Sequence, residues 1–155
     1  MAFLSSMNIT GSGMTAQQLR LDVISENVSN INTTRVEGGN GPYQRKMVVM
    51  EAESGRDSFR EILARAAGEV PAAAGDLSEE GGVRVTQIVE DTSPFKLRYD
   101  PSHPDANAEG YVELPNVDLV KEITDAMAAT QAFSANVTAF NTLKTVATRA
   151  LDIGK

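Results

Sequence analysis

Residues 116–155 have the sequence NVDLVKEITDAMAATQAFSANVTAFNTLKTVATRALDIGK, which contains no proline and a single glycine near its end. Apolar or small residues recur at steps of three and four, with one step of seven, and this spacing lines one face of an α-helix. They are Leu119, Ile123, Ala126, Thr130, Phe133, Val137, Phe140, Ala147 and Leu151. Asn116, directly after Pro115, is predicted to cap the helix. Such a helix, about 37 residues and roughly 55 Å long, needs a partner helix in this chain or another.

The first 31 residues form a second segment without proline. Two interleaved sets of residues at seven-residue steps predict a heptad seam: Met7, Met14, Leu21 and Val28 form one, and Phe3, Thr10, Gln17, Ile24 and Ile31 the other. Gly11 and Gly13 weaken a helix, so we expect solid helix from Thr15 to Asn30 and earlier turns that are ordered only where they pack. A coiled-coil seam and an ordinary amphipathic core helix fit this pattern equally well.

The centre differs in composition, because all six prolines and nine of the twelve glycines lie between Asn32 and Pro115. Alternating apolar residues predict a strand within 43–50 and two more within 82–99, joined by a turn at 91–94. A short helix is predicted at 57–67 and a loop at 68–82. The predicted fold is mainly α with a small β insert (α+β), in which the terminal helices pair as an antiparallel coiled coil. The predicted parts are the N-terminal helix (1–32), an insert projecting from one end of the pair (33–115) and the C-terminal helix (116–155).

Composition excludes several classes of function. The 155 residues have the length of one domain, and a net charge of −7 with a pI near 4.7 argues against nucleic-acid binding. The absence of cysteine excludes disulfides and thiolate chemistry. No run approaches the ~20 apolar residues of a membrane span, and the N-terminus lacks a cleavable signal pattern. The residues alone therefore predict a cytoplasmic protein, unless it is exported without a cleaved peptide.

Candidate chemistry is confined to one loop, where Asp100, His103 and Asp105 lie close in sequence. They offer at most three metal ligands, or a histidine base without an identified nucleophile. A proline-rich loop ordered by local hydrogen bonds explains them better. The glycine-rich and acidic segments fit neither a phosphate loop nor a calcium loop. We therefore predict no catalytic, cofactor or metal residues, and two amphipathic helices whose burial is completed by neighbouring copies or partners.

The run from Leu19 to Thr33, LRLDVISENVSNINT, carries a resemblance to a known family. It is similar to the N-terminal signature of the bacterial flagellar rod, hook and hook-associated proteins, an apolar helix followed by Asn-Asn-(Ile/Leu)-Ala-Asn-x-Asn-Thr. Four residues fit that signature, and Glu26 and Ser29 depart from it mildly. The fitting residues are Asn27, Asn30, Asn32 and Thr33.

Further blocks narrow the resemblance to a subunit of the rod. They are HPDA at 103–106, EGYV at 109–112, PNVD at 115–118, ANVTA at 135–139 and ALDIGK at 150–155. The motif residues in these blocks are Gly110, Tyr111, Asn116 and Asn136. The resemblance covers 1–43 and 93–155, and is least specific between Glu51 and Gly82.

The resemblance implies a structural subunit of the proximal rod of the flagellar basal body, which transmits motor torque through the periplasm. It implies export by the flagellar type III apparatus without a cleaved signal peptide. The implied partners are other copies, the rod proteins FlgB, FlgF and FlgG, the basal adaptor FliE and the inner ring. It also implies terminal helices packed around the export channel, without nucleic acid or membrane insertion.

The predicted assembly interface combines the two helical seams. Its residues are Met7, Met14, Leu21, Ile24, Val28, Ile31, Leu119, Ile123, Phe133, Val137, Phe140, Ala147 and Leu151. Three alternatives stay open: another axial component similar to FlgB, a cytoplasmic coiled-coil adaptor, and a periplasmic hydrolase or metal protein that uses the loop of Asp100, His103 and Asp105.

Overall fold

A computed structural model describes residues 2–36, 38, 41–53 and 81–153 of the chain. Along the chain, a long helix precedes four strands and a second long helix follows them. The elements are α1 (Ala2–Ser29), β1 (Lys46–Glu53), β2 (Gly82–Glu90), β3 (Lys96–Tyr99), β4 (Tyr111–Leu114) and α2 (Leu119–Ile153). This confirms the predicted α+β class, with one long helix at each end and short strands between them. The helix predicted at 57–67 and most of the loop predicted at 68–82 lie outside the described residues.

Helix α1 begins much earlier than the predicted Thr15. Thr10 donates its hydroxyl to the carbonyls of Ser6 (3.1 Å) and Met7 (3.0 Å), as Ser12 does to Ile9 (2.9 Å). These bonds satisfy side-chain polar groups within the helix, across the turns that Gly11 and Gly13 weaken. The turns before Thr15 were expected to be ordered only where they pack, and they do pack, because Gly13 lies against Asn136 and Ser12 accepts the amide of Val83.

The cap of α2 was also predicted wrongly. Asp118, not Asn116, accepts the amide of Val120 on its carboxylate (3.0 Å), and its carbonyl accepts the amide of Glu122 (2.9 Å). Aspartate at this position satisfies one of the free amides of the first turn and carries a negative charge at the positive end of the helix dipole. Asn116 is thereby free to bond elsewhere.

The two helices run antiparallel, as two cross-contacts show. Asn27 near the end of α1 bonds Glu122 near the start of α2, whereas Gly13 lies against Asn136 further along α2. Few apolar side chains of the helices are buried, and those that are buried are mostly small. In the described part they are Ala16, Val23, Ile24 and Ala129.

The strands form two antiparallel ribbons. β1 pairs with β2 from Lys46 opposite Glu90 to Glu53 opposite Gly82, with a bulge between Val49 and Met50. β3 pairs with β4 over four residues. The β1–β2 ribbon lies along α1, since Ser12 accepts the amide of Val83 (3.1 Å) at one end and Asn27 bonds Lys46 at the other. The expectation that the insert only projects from one end of the helix pair was therefore wrong for this ribbon.

Candidate functional site

The most buried polar residues lie where the end of α1, the start of β1 and the first turn of α2 meet. Asn27 is 1% exposed and uses all of its hydrogen-bonding capacity. Its amide nitrogen donates to Glu122 Oε2 (3.1 Å) and to the Lys46 carbonyl (2.9 Å). Its amide oxygen accepts from the Tyr43 hydroxyl (3.0 Å) and the Lys46 amide (2.9 Å). This family-motif asparagine therefore joins two helices and a strand.

A buried ion pair lies beside Asn27. Glu122 is fully buried, and its Oε1 accepts a hydrogen bond from Arg45 Nε at 2.6 Å. Arg45 also approaches Asp91 Oδ2 (3.4 Å) and Asp125 Oδ2 (3.6 Å). Burial alone would lower the pKa of Arg45, but hydrogen bonding and attraction to Glu122 and Asp91 raise it overall. The Ser93 hydroxyl and amide, assisted by Arg45, hold the pKa of Asp91 below its usual value. We call Asn27, Arg45 and Glu122 the polar junction.

Tyr43 contacts the polar junction through its hydroxyl, which donates to Asn27. Its ring is buried, and Lys46 lies over that ring at 5.6 Å while pairing with Glu26. Burial, followed by the nearby carboxylates of Glu26 and Glu122, raises the pKa of Tyr43 to about 12. The phenol is therefore held in its neutral form, which donates to Asn27.

Asn116 extends the junction to the turn between the two ribbons. Its oxygen accepts the amide of Arg45 (2.8 Å), and its nitrogen donates to the carbonyls of Asp91 (2.9 Å) and Ser93 (3.1 Å). The predicted turn at 91–94 is present, and the carboxylate of Asp91 orders it by accepting from the Ser93 amide (2.9 Å). Asn116 is thus a tie between β1, this turn and the start of α2.

The remaining asparagines of the N-terminal motif end α1. The Asn30 side chain donates to the Glu26 carbonyl (2.9 Å), which also accepts the backbone amide of Asn30 (3.1 Å), and it accepts from the Thr33 hydroxyl (3.1 Å). Asn32 is exposed. The motif therefore combines one buried anchor, Asn27, with a helix end.

Asn136 occupies a notch in the other helix. A methyl group built on Gly13 would lie 2.8 Å from Asn136 Nδ2, so only glycine lets this side chain approach the α1 backbone so closely. By contrast, nothing lies within 4 Å of the equivalent position on Gly11.

Gly110 and Tyr111 shape the β3–β4 ribbon. Gly110 has φ +84°, and a side chain there would lie 3.0 Å from the Tyr99 ring. The rings of Tyr99 and Tyr111 meet edge to face, with centroids 5.2 Å apart. These motif residues therefore fix a tight turn with two aromatic rings beside it.

The loop of Asp100, His103 and Asp105 does not gather its side chains at one point. Asp100 accepts from the Ser102 hydroxyl (2.7 Å), which together with the Ser102 amide and nearby positive charge lowers its pKa. His103 Nδ1 accepts the amide of Asp105 (3.1 Å). The carboxylate of Asp105 binds Thr34 (2.8 Å) and Arg35 instead. This arrangement ties the loop to the segment after α1 and favours the structural interpretation over the hydrolase or metal site.

The predicted seam residues divide into two sets. Ile24 is buried, and the half-buried members are Met7, Met14, Leu21, Val28, Ile31, Phe133, Val137, Phe140 and Ala147. Leu119 (44%), Ile123 (49%) and Leu151 (74%) are exposed, while Glu122 and Ala129 are buried. Residues that repeat with a period near 3.5 shift by ~20° per heptad around a straight helix, because the helix itself has 3.6 residues per turn. The predicted stripe therefore does not stay on one side of α2, and its first half lies away from α1.

Between Leu119 and Thr148, one face of α2 is exposed and carries no charge. Its ten residues fall within about 100° of the helix circumference and extend over roughly 43 Å at 1.5 Å per residue. This open face of α2 consists of Leu119, Val120, Ile123, Met127, Thr130, Ser134, Thr138, Asn141, Thr145 and Thr148. Helices that face bulk water normally carry charged residues on that side. The face is therefore suited to contact with other protein.

Sequence reasoning missed Arg45, Asp91, Glu122 and Gly13 as organising residues. A signal for Glu122 was present: it lies seven residues before Ala129 and fourteen before Asn136, in a heptad of its own. No comparable signal marked Arg45, because its partners come from elements 46 and 77 residues away.

Both ends of the chain match models of known families. Residues 7–35 match the family described as flagella basal body rod protein, and residues 108–153 match the C-terminal family of flagellar basal body rod FlgEFG proteins. The matched segments contain most of α1 and α2 and the β4 strand. Most of the two helices, including Asn27 and Glu122 of the polar junction, thus lies within segments that match families of flagellar basal-body rod proteins.

Full-length relatives specify the family. A flagellar basal-body rod protein FlgC of Bacillus subtilis (strain 168) is 44% identical, with all of both chains compared. Its counterpart in Borreliella burgdorferi is 40% identical over 99% of this chain and 98% of the relative. One from Escherichia coli O157:H7 is 36% identical over the whole of both. The chain belongs to the FlgC family of flagellar basal-body rod proteins.

Proposed function

We propose that this chain is a structural subunit of the proximal rod, and that it polymerises through its terminal helices to build the torque-transmitting axle around the export channel. In this proposal the helices pack as an antiparallel coiled coil and form the inner wall, and the central segment faces outward to make lateral contacts. The family membership supports a structural role in the basal body. The observation that carries the assembly mode is the uncharged, exposed open face of α2.

The first turns of that face form an apolar patch. Leu119, Val120, Ile123 and Met127 are 44, 74, 49 and 69% exposed, although they follow one another on the same side of the helix. Contiguous exposed apolar side chains mark surfaces that bind protein. Burial of such side chains contributes roughly 25 cal/mol per Å² of apolar surface, which favours association with a neighbouring subunit.

The rest of the face consists mainly of threonine, and its hydroxyls are already bonded. Thr130, Thr138, Thr145 and Thr148 each donate to the carbonyl four residues earlier, at 2.8 to 3.0 Å. Their methyl groups and oxygen lone pairs remain for contact with other protein, without charges to desolvate. Such a surface suits close packing in an assembly and the wall of a channel.

The partners proposed are further copies of the chain, the rod proteins FlgB, FlgF and FlgG, the adaptor FliE and the inner ring. We place the protein in the periplasmic rod of the basal body, reached through the flagellar type III export apparatus without a cleaved signal peptide. In the described part of the chain neither helix is apolar enough over its length to span a membrane.

The experiment introduces a charge into the apolar patch. We expect Val120→Asp and Met127→Asp to be exported but missing from purified basal bodies, with loss of swimming, because a buried unpaired carboxylate opposes subunit packing. Ala128→Asp is the matched control, since Ala128 is exposed on another side of the same turn, and it should assemble. Normal swimming of both patch variants would refute the proposed interface.

A further inference from the structure

Two contacts of polar α2 side chains with α1, one a hydrogen bond and the other a steric fit, have the same spacing on both helices. Gly13 and Asn27 lie fourteen residues apart on α1, and Glu122 and Asn136 lie fourteen residues apart on α2. Asn27 bonds Glu122 at 3.1 Å, and Asn136 fills the notch at Gly13. Fourteen residues are two heptads, or about 21 Å of helix. Both contacts are therefore made together when the antiparallel helices have one particular axial alignment.

The apolar contacts between the helices do not select that alignment by themselves. The buried apolar residue of α2 within the described chain is Ala129, and α1 contributes Ala16, Val23 and Ile24. A shift of α2 by one heptad along α1 exchanges the half-buried pair Phe133 and Phe140 either for Ala126 and Phe133 or for Phe140 and Ala147, so that one aromatic side chain stays in the seam. The fully buried apolar side chains of the two helices are few and mostly small, so their burial discriminates weakly between alignments.

The polar contacts, in contrast, are lost completely in such a slide. A shift by seven residues moves Glu122 about 10 Å along the axis from Asn27, and also from Arg45, which stays with α1 through β1. It places Asn136 at the level of Ser6 or Arg20 instead of a glycine. A fully buried carboxylate without partners is strongly unfavourable, and a side chain cannot enter a helix surface that lacks the notch.

We propose that Gly13, Asn27, Glu122 and Asn136 form a two-point register lock that fixes the axial alignment of the terminal helices. The lock acts within a single chain. Arg45 transmits this alignment to the β1–β2 ribbon, because it binds Glu122 with its side chain and directly precedes Lys46, the first residue of β1, which Asn27 holds. Two of the motif asparagines, Asn27 and Asn136, thereby acquire one shared role. A single buried polar residue is known to specify register in coiled coils, and here two act at a fixed distance.

The test measures the alignment with two spin labels on the full-length chain. The protein has no cysteine, so Ser25→Cys and Thr138→Cys, both at exposed positions, provide unique attachment sites. In the observed alignment these two positions are separated by about 21 Å along the helix axis. A shift of one helix along the other by one heptad would change that axial separation by about 10 Å. Electron–electron distance measurements should give one narrow distribution for the parent. Replacing the four lock residues together (Gly13→Ala, Asn27→Leu, Glu122→Leu, Asn136→Ala) should add a population displaced by about 10 Å.

If the fourfold variant does not fold, the lock can still be tested with two less disruptive variants, Gly13→Ala and Gly13→Ala combined with Asn136→Ala. Gly13→Ala adds only a methyl group and should broaden or displace the distribution, and adding Asn136→Ala should restore it. Gly11→Ala, which adds the same methyl where nothing lies within 4 Å, is the matched control and should leave the distribution unchanged.

Three results would overturn the lock. The first is that the fourfold variant folds and has the same distance distribution as the parent. The second is that Gly13→Ala and Gly11→Ala have the same distance distribution, and the third is that the parent itself has a broad one. None of these measurements depends on assembly, so the lock and the proposed rod function can fail separately.

Discussion

Replacement of Asn27 by leucine tests how strongly the polar junction stabilises the fold. Leucine is nearly the same size, so it removes four hydrogen bonds without leaving a large cavity. The amide and carbonyl of half-buried Lys46 can recruit water, but the Tyr43 hydroxyl and Glu122 Oε2 cannot, since these residues are 6% and 0% exposed. An orphaned buried polar group costs about 1–3 kcal/mol, and more if it is charged. We therefore expect Asn27→Leu to lower the free energy of unfolding by roughly 3–4 kcal/mol.

The assay is urea unfolding followed by circular dichroism at 222 nm. With a typical slope of about 2 kcal/mol per M, the midpoint should fall by roughly 1.5–2 M. Asn32→Leu is the matched control, because Asn32 is exposed one turn further along, and it should stay within about 0.5 kcal/mol of the parent. Asn27→Asp, which keeps the shape, should be at least as destabilising as the leucine variant, because it places a second carboxylate against Glu122.

A midpoint change below about 0.5 M for Asn27→Leu would refute this reasoning, because it corresponds to roughly 1 kcal/mol. So would equal changes for Asn27→Leu and Asn32→Leu. Either result would mean that the polar groups around Asn27 find other partners or water, and that the junction is not sealed.

The pKa of Tyr43, raised to about 12 by burial, predicts a stability contribution that is complete below pH 10 and is lost as the pH rises towards 12. Tyr43 ionises at a lower pH in the unfolded chain than in the folded one, so the free energy of unfolding should fall by roughly 2–3 kcal/mol across this range. In the Tyr43→Phe variant the free energy of unfolding should depend less on pH over this range, whereas Tyr99→Phe, at an exposed position, should behave as the parent does. Identical pH dependence in the parent and in Tyr43→Phe would contradict the assignment. A second contrast concerns the two helical glycines: Gly11→Ala should raise the thermal midpoint through up to ~1 kcal/mol of helix propensity, and Gly13→Ala should lower it because of Asn136. Equal shifts of the same sign in calorimetry would show that the notch at Gly13 has no consequence.

The two terminal helices and three of the four strands were predicted because they depend on local patterns, whereas β4 was not predicted. The proline-free ends and the steps of three and four in α2 indicate helix directly, and alternation between Lys96 and Tyr99 indicates a strand. The motif asparagines were also singled out from sequence. Their different duties were not: Asn27 is a buried anchor, Asn30 ends a helix and Asn32 faces solvent.

Misjudged boundaries share one physical cause. Thr15 was expected to begin the firm part of α1, and Asn116 to cap α2, from the preferences of single residues. In the folded chain, packing and side-chain bonds carry α1 through Gly11 and Gly13. Asp118 takes the cap because Asn116 is engaged by Arg45 and the turn after β2. Tertiary contacts of this kind outweigh intrinsic helix propensities, which reach about 1 kcal/mol for glycine.

The class of the fold, the two terminal helices and the family of the chain could be predicted from the sequence, since they depend on periodicity and on motifs that are local in the chain. The alignment of the helices, the burial of Glu122 with Arg45, and the orientation of Leu119 and Ile123 away from α1 became apparent from the folded chain alone. The reason is that a residue's burial depends on neighbours brought from distant parts of the chain. The long C-terminal helix consequently has two faces of different character. One contacts α1 through Glu122 and Asn136, and the other, exposed and uncharged between Leu119 and Thr148, is the face that we propose binds other subunits.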